Sequence, residues 1–271
     1  MTLDIFRALR NRGWTGIGLA NVMPWFGEPG KIHRDNAYNS TDPAIIAKQC
    51  ELMQFLGIQG VIVTTQGSRA MPFEYQCALG MQAECEKRGM LFCLLLDQWL
   101  VKSGGKLVAD PTQEVINQLK AWPISKAYLP EKYVLDFLPP AAMVDWAKVQ
   151  TATGYTILNK HKGYSWPEVA NNIAVLARDN ANNAMKIPGL SMGFNDAGYL
   201  AQIGGTRDYS QSVWGIGPAR VLDHMAGNTW FDQVEVTPIS AKYVGLVTWN
   251  DHDEGTAFEQ FASILKGVRL R

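Results

Sequence analysis

No glycine-rich phosphate loop follows the first apolar run, no Cys-x-x-Cys pair occurs, and no two histidines stand with a carboxylate at metal-ligand spacing. The first absence argues against a nucleotide-binding open sheet. The second, with only four cysteines (Cys50, Cys77, Cys85 and Cys93) in one third of the chain, argues against a zinc site or a disulfide framework. They read as reduced core thiols, and synthesis in a reducing compartment is expected. No metal or other cofactor is expected. Lys plus Arg equals Asp plus Glu, 25 each, so no basic face is implied and nucleic acid is not an expected partner. No apolar run approaches the roughly eighteen residues of a membrane span, and the longest, residues 90–96, is strand-sized. The first residues lack the apolar core of a signal peptide. Cytoplasmic synthesis is therefore expected, whether the protein stays there, leaves by lysis as a phage-encoded protein would, or is a trimmed secreted form. Internal repeats, low-complexity tracts and linkers are also missing.

Hydrophobic residues are plentiful at 47%, charged ones make up 18%, and nine Trp and nine Tyr are present. A sizeable core follows, and rings not needed there are natural platforms for the apolar faces of sugars. Strand-length apolar runs alternate with helical patterns. Strands are expected near residues 14–22, 58–65, 90–96, 133–137, 155–158, 190–194, 231–236 and 243–249. Helices are expected near 42–56, 72–88, 110–122, 141–151, 165–182, 217–226 and 257–265. Ser40-Thr-Asp42-Pro43 supplies an acidic N-cap with proline in the first turn. Such alternation argues for parallel βα units, and about 250 residues is typical of a (β/α)8 barrel. A single α/β TIM barrel over residues 1–271 is the expected fold, with a doubly wound sheet as runner-up.

Chemistry in such barrels sits at the C-terminal ends of the strands. The richest end is the last: Tyr243-Val-Gly-Leu-Val247 leads into Trp249 and Asn250, then Asp251, His252, Asp253, Glu254 and Glu259. Crowded carboxylates raise one another's pKa, which suits an acid and a base working as a pair. A plainer reading is an acidic loop serving the helix that follows, with Glu254 or Thr256 at its N-terminus. Other strand ends offer Trp25, Phe26 and His33 after the first, Asp97 and Trp99 after the third, Asp136 at the fourth, His161 after the fifth, and Asn195 with Asp196 after the sixth. Each has a structural alternative. The tryptophans serve equally as core, the histidines as ordinary loop residues, and Asp136 can face either side of its strand. Together, carboxylates with aromatic walls suit glycoside hydrolysis.

Several segments resemble a known group. Pro24-Trp-Phe-Gly-Glu-Pro29 is similar to the Pro-Trp-Tyr-Gly-x-Pro segment of glycoside hydrolase family 99, and Leu56-Gly-Ile58-Gln-Gly-Val-Ile-Val63 and Gly193-Phe-Asn-Asp196 look like its second- and sixth-strand regions. Trp249-Asn-Asp251-x-x-Glu254-Gly-Thr256-x-x-Glu259 resembles its Trp-Asn-Glu-x-x-Glu-Gly-Thr-x-x-Glu signature, and its Asp also resembles family 71. The resemblance implies a metal-independent barrel enzyme, endo-acting on α-linked polysaccharide, of the α-mannan type (family 99) or the α-1,3-glucan type (family 71). By position it makes Glu254 the general acid/base and Asp251 the second carboxylate. From their places at the expected strand ends, Trp25, Phe26, His33, Asp97, Trp99, Asp136, His161, Asn195, Asp196, Trp249, Asn250 and His252 are the expected substrate contacts.

The chain also departs from the pattern. Asp251 is one methylene shorter than the family 99 Glu, Asp253 stands where that family has His, and Thr64-Thr-Gln66-Gly replaces tryptophans after the second strand. These departures keep open a non-catalytic carbohydrate-binding barrel, for instance a virion component. A phosphate-handling barrel fits least, since the loop after the last strand is acidic.

Overall fold

The computed structural model describes residues 3–30, 38–65, 67–70, 72–96, 98–103, 106–123, 133–136, 144–158, 189–190, 234–235, 237–246, 248–250 and 258–267. Its main sheet has seven strands: β1 (Ile17–Val22), β2 (Gly60–Thr65), β3 (Leu91–Leu96), β6 (Tyr133–Asp136), β7 (Thr156–Leu158), β8 (Gly189–Leu190) and β9 (Tyr243–Leu246). Every pairing in it is parallel. A separate small hairpin joins β4 (Lys102–Ser103) and β5 (Lys106–Leu107). The order is β7-β6-β3-β2-β1-β9-β8, so the last strand lies beside the first. That arrangement belongs to a sheet rolling up in chain order, with the C-termini of all strands on one lip.

Helices α2 (Pro43–Phe55), α4 (Pro72–Arg88), α5 (Pro111–Ala121) and α6 (Trp146–Thr153) make the crossovers, and α7 (Phe258–Lys266) follows β9. Short α1 (Arg7–Asn11) precedes β1, and α3 (Gly67–Ala70) precedes α4. The cap expected of α2 is present: Asp42 accepts from the backbone N–H of Ala44 at 2.8 Å.

Strands β1, β2, β3 and β9 are buried on both faces, as strands of all-parallel sheets are. Ala20, Val61, Val63, Phe92, Leu94, Val244 and Leu246 belong to the large core, together with the helix residues Ile46, Met53, Ala78 and Met81. Leu19, Ile62, Cys93, Leu95 and Tyr243 form a second, smaller cluster made of strand residues alone. The register runs Asn21↔Ile62↔Cys93 and Thr64↔Leu95, so Asn21 and Thr64 share the face of that inner cluster. In β1, β2, β3 and β9 the residues of this face are apolar, aromatic or glycine until the C-terminal lip, where Asn21 and Thr64 enter. All four cysteines are buried free thiols.

Two expectations are corrected. The sequence predicts a seventh strand near residues 231–236, but Val234 and Glu235 are helical, and β8 pairs directly with β9. The Arg12 guanidinium takes up the carbonyls of Val234 and, at 3.1 Å, Thr237, which withdraws them from any ladder. The fourth helix starts at Trp146 rather than near residue 141, because Asp145 caps it by accepting from Lys148 N at 3.0 Å. The helices expected at 165–182 and 217–226 lie outside the described residues. The parallel α/β sheet with adjacent first and last strands stands. Complete closure into eight βα units is not contained in the described residues, since no pairing joins β7 to β8 among them.

Candidate functional site

The C-terminal lip can be followed strand by strand. Beyond β1 the chain runs through Met23, Pro24 and Trp25 to Phe26, then turns at Gly27, whose φ is 83°. A Cβ there would stand 2.7 Å from Asn39 Cα, so both conformation and space require glycine. The turn brings Phe26 against Tyr38, ring centroids 5.8 Å apart, and the Phe26 carbonyl accepts from Ser40 N at 2.8 Å. Tyr38 is thereby delivered to the lip just before α2.

Beyond β9 the chain stays beside β1, with Trp249 N donating to Asn21 O at 2.6 Å. The next side chain, Asn250, pairs with the backbone of Met23 as a strand would. Met23 N donates to Asn250 Oδ1 at 2.8 Å, and Asn250 Nδ2 donates to Met23 O at 2.9 Å. Its other amide hydrogen goes to Tyr38 Oη at 3.1 Å. Tyr38 in turn donates to Glu259 Oε2 at 2.7 Å, and Gln49 Nε2 lies 3.5 Å from the same oxygen. Glu259 N donates to Trp249 O at 2.8 Å. Asn250, Tyr38, Gln49 and Glu259 are all buried. Burial first, then the charge of Glu259, pushes the Tyr38 hydroxyl well above the usual tyrosine value, so it keeps its proton and remains a donor.

This network holds both ends of the segment carrying the candidate carboxylates. Asn250 stands immediately before Asp251, and Glu259 lies five residues beyond Glu254. Asp251, His252 and Glu254 themselves lie outside the described residues, as do His33, Asp97, His161, Asn195 and Asp196. Trp99 falls in a 3-10 turn, Gln98–Val101, directly after β3. Asp136 is the last residue of β6, in register with Leu96, which is itself in register with Thr65 at the end of β2. Their backbones therefore reach the same lip.

The aromatic residues divide. Trp25 is half-buried, its ring centroid 6.5 Å from that of Phe26. Phe26 and Trp249 are inside, 1% and 0% exposed. Asn250 is also inside, with both amide hydrogens spent on the protein. Asn21, Tyr38, Gln49 and Glu259 did not figure as site residues in the sequence reading. Only Glu259 carried a signal, as the last acid of the C-terminal motif. Among the described residues no three of His, Cys, Asp and Glu converge as metal ligands, and no helix is long and apolar enough to cross a membrane.

Neither a family profile nor a curated protein matches the sequence. Solved structures do match in fold. One is the GH99 endo-α-mannosidase from Bacteroides thetaiotaomicron in complex with Bis-Tris-propane. It is 19% identical at a TM-score of 0.60, over 89% of this chain and 85% of that one. A second structure of a GH99 endo-α-mannosidase from that organism is 15% identical at 0.62, over 89% and 86%. A glycoside hydrolase-like protein is 10% identical at 0.57, over 93% of each chain. At these identities the likeness is one of fold. It meets the family 99 resemblance drawn from the motifs, and the fold is glycoside hydrolase-like.

Proposed function

We propose that this chain is a glycoside hydrolase of single (β/α)8-barrel architecture, endo-acting on an α-linked polysaccharide of the α-mannan or α-1,3-glucan type. The observation that carries the reading is the clamp at the lip between β1 and β9. It fixes both ends of a segment rich in acids, on a fold similar to that of known glycosidases. In this reading Glu254 protonates the leaving glycosidic oxygen. Asp251 acts as the second carboxylate, either drawing the proton from the sugar 2-hydroxyl to give an anhydro-sugar or activating water. A carboxyl separation of about 6.5–9.5 Å would favour the water route, and about 5–5.5 Å direct attack on the sugar.

Trp25, half-buried beside the lip, is proposed to stack on a sugar. His33, Asp97, Trp99, Asp136, His161, Asn195, Asp196 and His252 are proposed polar or aromatic contacts around the lip. Phe26, Trp249 and Asn250 support the site from within rather than touching substrate. The chemistry requires no metal or organic cofactor.

A panel of α-mannans and α-1,3-glucans, assayed for reducing-end release with wild type and Glu254→Gln, tests the reading. Release from one polymer that disappears in a normally folded variant is expected. Equal turnover by the variant would refute the assignment. A second reading, glycan binding without hydrolysis, is favoured by the second-strand lip, where Thr64 and Thr65 are buried and the family 99 tryptophans are missing. Retained binding to one polymer with no release from any would select it.

A further inference from the structure

The clamp contains one group whose burial the hydrolase reading does not use. Glu259 opens α7 with a carboxyl side chain only 4% exposed. Burying a carboxylate is costly unless donors meet it. The donors that meet it include the Tyr38 hydroxyl at 2.7 Å and the more distant Gln49 amide at 3.5 Å.

What Glu259 does is orient Tyr38. With its proton directed at Glu259, the hydroxyl offers a lone pair to Asn250 Nδ2 at 3.1 Å. That bond turns the Asn250 amide so that its oxygen meets Met23 N and its remaining hydrogen meets Met23 O, at 2.8 and 2.9 Å. A chain of hydrogen bonds thus runs from α7 through α2's leading segment to β9 and β1. It acts in addition to the backbone bond from Glu259 N to Trp249 O at 2.8 Å.

We infer that Glu259 is a positioning residue: through Tyr38 and Asn250 it sets the lip of β9 against β1, and with it the acidic segment that begins at Asp251. The inference rests on the hydrolase reading for its catalytic consequence, but not for the clamp itself. Catalytic groups displaced by about 1 Å lose on the order of a hundredfold in rate. Loss of the clamp is therefore expected in kcat rather than KM.

The test uses the full chain with Glu259→Ala, Tyr38→Phe, the double variant and Glu259→Gln, each assayed well below its unfolding midpoint. Amide hydrogen exchange reads the clamp without any substrate. In Glu259→Ala, protection at the Met23 and Trp249 amides is expected to fall at least tenfold, while β2 and β3 are unchanged. Where the wild type cleaves a polymer, Glu259→Ala and Tyr38→Phe are each expected to lower kcat by about ten- to a hundredfold with KM nearly constant. The double variant should be no worse than the poorer single, because both break one chain. Glu259→Gln should recover most of the loss, because its amide oxygen still accepts from Tyr38.

Unchanged exchange at Met23 and Trp249 would overturn the inference whatever the turnover. An opened clamp with wild-type kcat would overturn the positioning role and leave the hydrolase reading intact. An inactive wild type whose variants show the expected exchange pattern would remove the hydrolase reading and leave the clamp standing.

Discussion

Replacing Asn250 by Asp changes one NH2 to an oxygen and little else in shape, so it separates an anchor from a substrate contact. The acceptor for Met23 N survives, but both donor bonds disappear, to Met23 O and to Tyr38 Oη. Met23 O then faces a carboxyl oxygen where it had an N–H at 2.9 Å. Two hydrogen bonds at about 1 kcal/mol each, plus roughly 1–3 kcal/mol for the acceptor left facing an acceptor, give a loss of about 3–5 kcal/mol. Against a typical total of about 5–15 kcal/mol, that is a large fraction of the stability. At about 2–3 °C per kcal/mol for a chain of this size, the midpoint should drop by about 6–15 °C at pH 7.

The loss should also depend on pH. Burial, and the Glu259 carboxyl on the far side of Tyr38, would raise the new carboxyl above its unfolded value. A raised acid binds its proton more tightly in the folded state. The deficit is therefore smallest at low pH, grows as pH rises through the unfolded value, and is complete above the folded one. Thermal unfolding of both proteins by circular dichroism across this range measures it. If Asn250 is instead a substrate contact, the variant will melt within about 1 °C of wild type at every pH and show the change in KM. That result would refute the anchor argument.

Gly16 tests the seam between the first and last strands: an added Cβ would meet Trp14 Nε1 at 2.5 Å and the carbonyls of Ala241 and Lys242 at 2.6 and 2.7 Å. Gly16→Ala should therefore cost about 2–4 kcal/mol, as overpacking of 1–3 plus loss of the bond from Trp14 Nε1 to Ala241 O. Gly89→Ala, where the added methyl meets nothing within 4 Å but φ is 67°, should cost only about 1–2 kcal/mol; urea titrations giving the reverse order would contradict the seam. The thiols give a simpler test. Cys85 is pushed up first by its contact with Cys50 and then by burial, Cys77 by burial and then by Glu74, and all four thiols are buried. A disulfide reagent at pH 8 should label none within minutes in the native protein and all four in denaturant; rapid native labelling would show an interior more open than described.

The strands could be read from sequence because parallel strands covered on both faces are unbroken apolar runs, as in Leu91–Leu96. The start of α2 could be read because its cap is local: Asp42 reaches Ala44, two residues away. What escaped has no local signal. Helix α1 is five residues long, too short to establish a period. Asn250 and Glu259 lie 212 and 221 positions from Tyr38 along the chain, and no spacing rule joins a tyrosine before the first crossover helix to an acid in the last one. Val234 and Glu235 read as strand because strand propensity was all the sequence offered there. The contact that decides otherwise comes from Arg12, at the other end of the chain. The aromatic residues were legible as to location and not as to direction. Trp25, Phe26 and Trp249 all reach the lip, yet two are inside it, since composition does not say which side of a turn a ring faces.

The acidic cluster that suggested chemistry had a plain competitor, a loop serving the next helix. The structure divides the cluster between these readings. The acid in the first turn of α7 is Glu259, at the helix end where negative charge is favoured, and its side chain is committed to Tyr38. The described first turn of the helix therefore has an acid of its own. Of the four acids in residues 251–259, the one explained by the fold is the one farthest from the strand; Asp251, Asp253 and Glu254 lie outside the described residues. By sequence those three acids fall within four residues, and like charges brought close together cost free energy unless something uses them. A proton donor paired with a second carboxylate is such a use, and it is the one that a fold similar to known glycosidases accommodates.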